Sequence, residues 1–319
     1  MDLKWDWRRA LSPTGHVGDA VFRGLLFTSA LFLILLVGAI LAAMASTASL
    51  SIREFGWGFL TSSQWNPLRG QFGAWPFIYG TVMSSVIALL ISVPLSLGVA
   101  VFLVEQSPRR IARPLTFLVE LLAAIPSVVY GLWGIFVLAP FMRENVMPPL
   151  QKIFGWLPLF QGNMTGIGLL TAGVILAIMI TPIISAVVRD VLAAVPVSQR
   201  EAALALGATK WETTRVVLAN GGPGIAGAII LGLGRAVGET MAVTMLIGNR
   251  PEVSASLFEP SYTIASVLAN EFREATGDLY VSALVELGLI LFLVTFIING
   301  AARLLVWSVT RGTSGTARA

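Results

Sequence analysis

Phe77–Val104 reads FIYGTVMSSVIALLISVPLSLGVAVFLV and carries no charged side chain from end to end. Coiled as an α-helix at 1.5 Å per residue it would reach about 40 Å, more than the ~30 Å hydrocarbon core of a bilayer. Lipid is therefore the expected solvent for this stretch. Five further runs are long enough to cross a bilayer: Leu25–Met44, Leu115–Phe141, Gly166–Val188, Ile225–Gly248 and Ala283–Trp307. Together they predict an all-α, polytopic membrane protein with six transmembrane helices. Pro94, Pro126 and Pro182 fall inside three of the runs. Membrane helices tolerate proline where neighbours re-satisfy the backbone, so these predict kinks rather than ends.

Composition agrees with that reading. Of the 319 residues, 56% are hydrophobic and 12% charged, with a mean hydropathy of +0.82; a soluble domain carries about 25% charged residues. The net charge of +4 invites a nucleic-acid reading. The basic residues lie between the apolar runs, however, and form no stripe interleaved with aromatics, which excludes nucleic acid. With no cysteine there are no disulfides and no thiolate metal sites. The single histidine, His16, precedes the first apolar run, so no histidine-based catalytic or metal site can form within the membrane, and no cofactor is called for. Lys4, Arg8 and Arg9 before the first run and Ala43-Met44-Ala45 after it imitate a secretory signal. The run is longer than the 7–15 residues of a signal's apolar region, and is read as a retained span.

Basic residues in the connecting segments set the direction. Fourteen fall on the side of the termini: Lys4, Arg8, Arg9, Arg23, Arg109, Arg110, Arg113, Arg189, Arg200, Lys210, Arg215, Arg303, Arg311 and Arg318. Six fall on the other: Arg53, Arg69, Arg143, Lys152, Arg250 and Arg273. Arg235 completes the 21. Both termini are therefore expected in the cytoplasm. Trp57, Trp65, Trp75 and Trp156 lie in or beside the outer segments, as an interfacial aromatic belt would place them. The resulting organisation is an N-terminal tail (residues 1–24), a first span with an outer segment (25–76), a transmembrane core (77–307) containing a long inner loop (189–224), and a C-terminal tail (308–319).

Four charged residues lie inside the runs: Glu120, Arg235, Glu239 and Glu286. A charge at the membrane centre costs about 2.5–3.5 kcal/mol on insertion scales, so each requires a partner or a water-lined path. Counted from Ile225, Arg235 lies roughly 15 Å along its helix, near mid-membrane. Glu239 is one turn further on the same face, and Gly234 and Gly238 beside them have the G-x-x-x-G spacing that lets a neighbouring helix approach. Two readings stand. The pair is either a self-neutralising salt bridge that helps helices pack, or an anion site, since a guanidinium fork binds phosphate bidentately. Glu120 and Glu286 have no partner nearby in sequence and are read as structural, either protonated or paired with Arg235 from another helix.

The inner loop carries its own punctuation. Ser198-Gln199-Arg200-Glu201 and Thr209-Lys210-Trp211-Glu212 both have capping-box spacing, and Gly207 stands where a left-handed helix terminus is wanted. Two short helices bent at Gly207 are predicted, the first presenting Ala202, Ala203, Leu204, Ala205 and Leu206 as an apolar surface. By pattern alone this is either an interfacial helix lying on lipid or a docking element.

Glu201-Ala202-Ala203, followed after three residues by Gly207, resembles the EAA-x3-G pattern of ABC-importer permeases. The family's following Ile-x-Leu-Pro is replaced here by Val217-Leu218-Ala219-Asn220. The runs Gly232–Val243 (GLGRAVGETMAV), Ala124–Gly134 (AIPSVVYGLWG) and Leu268–Phe272 (LANEF) narrow the resemblance to the PstC type of phosphate permease, over about Phe22–Trp307. That resemblance implies a MetI-like core in a bacterial inner membrane, with Glu201, Ala202, Ala203 and Gly207 docking a cytoplasmic ATPase and Arg235 and Glu239 lining the substrate path. It also implies partners: a second, PstA-like permease, a PstB-like ATPase dimer and a PstS-like periplasmic phosphate-binding protein. The chain has no G-x-x-x-x-G-K-[ST], so ATP hydrolysis would belong to a separate chain and this one would be no enzyme. The rivals are a permease for another oxyanion, such as sulfate or molybdate, and an ion-coupled carrier using Glu120, Glu239 or Glu286 as a proton relay. A carrier would have no use for an ATPase-docking loop.

Overall fold

A computed structural model describes residues 17–314, with side-chain surroundings as far as Leu304. The readings made for His16, Lys4, Arg8, Arg9, Arg318 and the end of the C-terminal tail fall outside these. Within them there is no strand, only two isolated bridges, and the chain is all-α.

The elements follow the apolar runs but not their predicted ends. Helix α1 covers Val17–Thr47, starting before Leu25, and α2 covers Ser49–Phe55. Helix α3 runs from Trp75 to Gln106, with Pro94 inside it and a π turn over its last residues, Phe102–Gln106. Next come α4 (Arg109–Ala123) and α5 (Ser127–Phe154), then α6 (Leu169–Ala194). Beyond α6 lie α7 (Val197–Ala205), α8 (Lys210–Gly238) and α9 (Met241–Leu246). Helix α10 covers Ile264–Glu271 and α11 covers Asp278–Ser314, past Trp307. Among the described residues five helices are long and apolar enough to span a membrane, and the pair α4–α5, taken as one span, brings the number to six.

That pair departs from expectation. The third span does not run straight from Leu115. Helices α4 and α5 meet at 91°, so Pro126 ends one helix instead of kinking it. The cause lies in α4, which carries Arg109, Arg110, Arg113 and Glu120 and buries none of its residues. A helix charged on one face settles at an interface, so the chain turns at Ile125-Pro126 before it crosses. Pro94 and Pro182 sit within helices that continue through them, as predicted.

Helix α6 is the axis of the bundle: 67% of its most apolar window is buried, against 0% for α1 on the periphery. It packs on α3, α4, α8 and α9. Small residues allow close crossings with α3 and α8. A Cβ on Gly173 would run into Ile87 of α3, and one on Gly232 of α8 would meet Ile184 of α6. At the end of the bundle away from α7, a second cluster joins Phe59, Phe72, Phe77 and Tyr262 to α11. Trp65 belongs to this layer, not to an interfacial belt. Its ring stands edge-on to Phe72 and Phe77, and its Nε1 donates to Glu271 Oε2 at 2.8 Å. Tyr280 Oη donates to the same oxygen at 2.6 Å, which gives Glu271 of the LANEF run a stitching role. Burial pushes the Tyr262 phenol up to about 12, so it stays neutral within the layer. Trp57 and Trp156 are exposed, as a belt requires.

Candidate functional site

Arg235 occupies the last turn of α8, one turn beyond Gly232. Gly232 lies against Ile184 and Ile180, in the middle stretch of α6, so the last turns of α8 stand beside the middle of α6. The helix does not continue through Glu239. It ends at Gly238, Glu239 takes an extended conformation, and α9 starts at Met241. Glu239 is thus a junction residue: its Oε1 accepts from the Ala242 amide at 3.5 Å and its Oε2 lies 3.9 Å from Arg235 Nη2. The fifth run is two helical pieces with the carboxylate at the break. Irregular backbone at membrane depth is tolerated where it is packed in protein or lines a cavity, and both conditions hold here.

The two side chains are unequally placed. Glu239 is 7% exposed and Arg235 42%. At 3.9 Å the pair is a loose Coulombic contact with the donors of Arg235 still free to reach elsewhere, unlike a closed bidentate bridge. They open on a groove of ≈ 970 Å³ between α8 and α11, lined on one side by Leu231, Gly234 and Gly238 and on the other by Thr295, Asn299 and Arg303. No neighbouring helix fills the Gly234–Gly238 face: a Cβ at either position would meet nothing within 4 Å among the described residues. The predicted G-x-x-x-G contact is absent among the described residues, and the glycines form the groove wall. Asn299 Oδ1 is buried there without a hydrogen-bond partner among the described residues.

The other intramembrane acids are elsewhere. Glu120 pairs with Arg189, whose Nη1 donates to Glu120 Oε1 at 2.8 Å, so its partner is not Arg235. Arg189 itself is in α6, not in the inner loop as expected. Glu286 is buried in α11 beside Ser51 and does not line the groove.

The inner loop forms the second constellation. Gly207 has φ +82°, the left-handed conformation predicted. The Gly207 amide donates to Leu204 O at 2.9 Å and the Ala208 amide to Ala203 O at 3.1 Å, a Schellman ending that satisfies carbonyls of α7. The capping box at Thr209 forms, with the Glu212 amide donating to Thr209 Oγ1 and the Thr209 amide donating to Glu212 Oε2. The box at Ser198 does not form. Pro196 stands at the N-cap with no side-chain bond, and α7 starts at Val197, because a proline's fixed φ already suits a helix entry. Nor is the second helix short, since α8 continues from Lys210 to Gly238. Of the predicted apolar surface, Ala203 turns inward and is buried, while Ala202, Leu204, Ala205 and Leu206 are exposed, as is the neighbouring Glu201.

A family model described as binding-protein-dependent transport system inner membrane component matches residues 92–311. The chain belongs to that family. The permease is 48% identical over 296 residues to the phosphate transport system permease protein PstC of Mesorhizobium japonicum, covering 91% of this chain and 90% of the relative. It is 46% identical to the PstC protein of Pasteurella multocida, covering 93% and 94%. Among solved structures it is similar to an inward-facing MetNI methionine ABC transporter, at 23% identity and a TM-score of 0.48 over 76% of this chain and 95% of that one.

Sequence reasoning on the permease missed one contact set at the site. Arg200, next to Glu201, bonds Glu105 at the end of α3. The two are separated by 95 positions, so no local pattern could pair them. Glu105 stands just beyond the last apolar residue of its run, and an acid there was the available signal.

Proposed function

We propose that this chain is a permease subunit of an ATP-driven importer of inorganic phosphate. The observation that carries the reading is the half-exposed Arg235 guanidinium, facing a groove at mid-bundle with a buried carboxylate beside it. A fixed cation in a low-dielectric wall favours an oxyanion, and a planar fork favours a tetrahedral one. Relatives named as phosphate transport permeases, alike over nine-tenths of both chains, support phosphate over other oxyanions.

In this reading a binding protein delivers phosphate at the α10 end, and the anion passes Arg235 along the α8–α11 groove. Arg235 supplies attraction. Glu239 balances that charge when the path is empty, which lowers the cost of keeping both groups away from water. The open Gly234–Gly238 face is where a second permease completes the path. Glu201, Ala202, Ala203 and Gly207 form the docking element for a separate ATPase, with Leu204 and Leu206 as its exposed apolar contacts. The chain sits in the inner membrane with both termini in the cytoplasm. In support, a Cβ on Gly288 would meet Met44, which sets the Thr47 end of α1 beside the early turns of α11 and leaves the Val17 end on the side of α7.

Affinity purification of the tagged chain from its native membrane tests the assembly. A second permease and a P-loop ATPase are expected to copurify, with ATPase activity stimulated by phosphate-loaded binding protein. A chain that purifies without any ATPase, or a complex stimulated only by another oxyanion, overturns the reading.

A further inference from the structure

Helix α7 is attached to the bundle in two different ways. At its C-terminal side the link is Gly207, in the left-handed conformation with open space around it. At its N-terminal side the link is Arg200, whose guanidinium uses nearly every donor it has. Nη2 donates to Glu105 Oε1 at 2.8 Å and Nε to the same oxygen at 3.1 Å. Nη1 donates to Val195 O at 2.6 Å, and Nη2 also to Leu192 O at 2.8 Å. Side-chain exposure is 18% for Arg200 and 11% for Glu105, so the pair is largely removed from water.

Each partner answers a need of the other elements. Leu192 and Val195 lie at the C-terminal end of α6, where Leu192 O accepts from the Val195 amide at 3.3 Å but gets no amide from Pro196, and where the helix dipole favours a cation. Glu105 sits in the π turn that ends α3, where a buried carboxylate needs a charged donor. One guanidinium thereby joins three elements: the end of α3, the end of α6 and the body of α7. The fork geometry matters, because a point-like ammonium cannot address a carboxylate and two carbonyls in different directions at once.

We propose that Glu105 and Arg200 clamp α7 to α3 and α6, so that a displacement of α7 is delivered to these two helices as one rigid unit. Arg200 is a positioning residue. It leaves recognition of the ATPase to the exposed face of α7 and converts a push on that face into movement of α6, the axis of the bundle. This rests on the reading of α7 as the ATPase contact, and names the connection through which that contact acts.

The test uses the whole reconstituted transporter and the absence of native cysteine from this chain. Glu105→Gln and Arg200→Gln should leave the ATPase bound and hydrolysing ATP, while phosphate taken up per ATP hydrolysed falls at least about tenfold, as loss of a charge-assisted contact implies. Arg200→Lys should recover only part of the coupling. In Glu105→Cys/Arg200→Cys, coupling should be low until a bifunctional thiol reagent spanning the pair joins the two positions, and should then rise. A cross-link that blocks transport would show that α3 and α7 separate during the cycle and would overturn the proposal. So would normal coupling in the Gln variants. Failure of the unmodified complex to bind any ATPase would instead remove the docking reading, an outcome distinct from either.

Discussion

Arg235 keeps 42% of its side-chain surface and Glu239 only 7%, and that inequality suits them to different work. The exposed fork can bind an anion, while the buried acid can only balance charge or accept a hydrogen bond at close range. Hydrogen phosphate retains a proton that sulfate lacks, so a carboxylate beside the site can distinguish the two. Glu239→Gln should therefore reduce phosphate uptake and let sulfate compete more effectively, measured with labelled phosphate in proteoliposomes. Unchanged competition in a still-active variant would leave charge balance as its only role. Arg235→Lys should transport poorly despite keeping its charge. Gly207→Val forces a β-branched residue to φ +82°, at a cost of about 1–2 kcal/mol or more. It should abolish ATP-driven uptake in a subunit that still inserts, and normal uptake by this variant would remove Gly207 from the coupling path. These residues were legible because each belongs to a pattern a few positions long. Glu120–Arg189 and Glu105–Arg200 were not, since their partners lie 69 and 95 positions away.

Among the elements, apolar runs located the spans but not their ends. The stretch Asn220-Gly221-Gly222-Pro223-Gly224 reads as a loop, yet α8 runs through it. Val191 and Leu192 of α6 lie against Gly221 and Gly224, and this close packing holds the helix where propensity would break it. The break at Glu239–Thr240 had no comparable signal, because Ala236-Val237 before it and Met241-Ala242-Val243 after it continue the apolar run. Capping offers a contrast the two similar motifs can test. Thr209→Ala removes a formed box and should destabilise the detergent-purified subunit by about 0.5–2 kcal/mol, whereas Ser198→Ala, which caps nothing, should leave its thermal midpoint unchanged. Equal effects would contradict the assignment of Pro196 as the entry to α7.

Over the whole molecule, the proposed topology rests on the distribution of basic residues. Fourteen Lys and Arg residues were counted on the side of α7 and six opposite. Reporter fusions at Ala319 and at Gly155 should read cytoplasm and periplasm respectively, and a periplasmic signal at Ala319 would invert the account. The six-span, all-α class was legible from hydropathy. The groove was not, because it depends on α8 and α11 meeting across a gap that no single stretch encodes. Passage of phosphate along this groove past a fixed guanidinium is tested by ATP-driven uptake of labelled phosphate in proteoliposomes containing the complete complex, with Arg235 or with Arg235→Gln. Saturable uptake is expected for the first and its loss for the second, with the complex assembled and ATP still bound and hydrolysed. Undiminished uptake by the Arg235→Gln complex would contradict it and return the pair to a purely structural salt bridge.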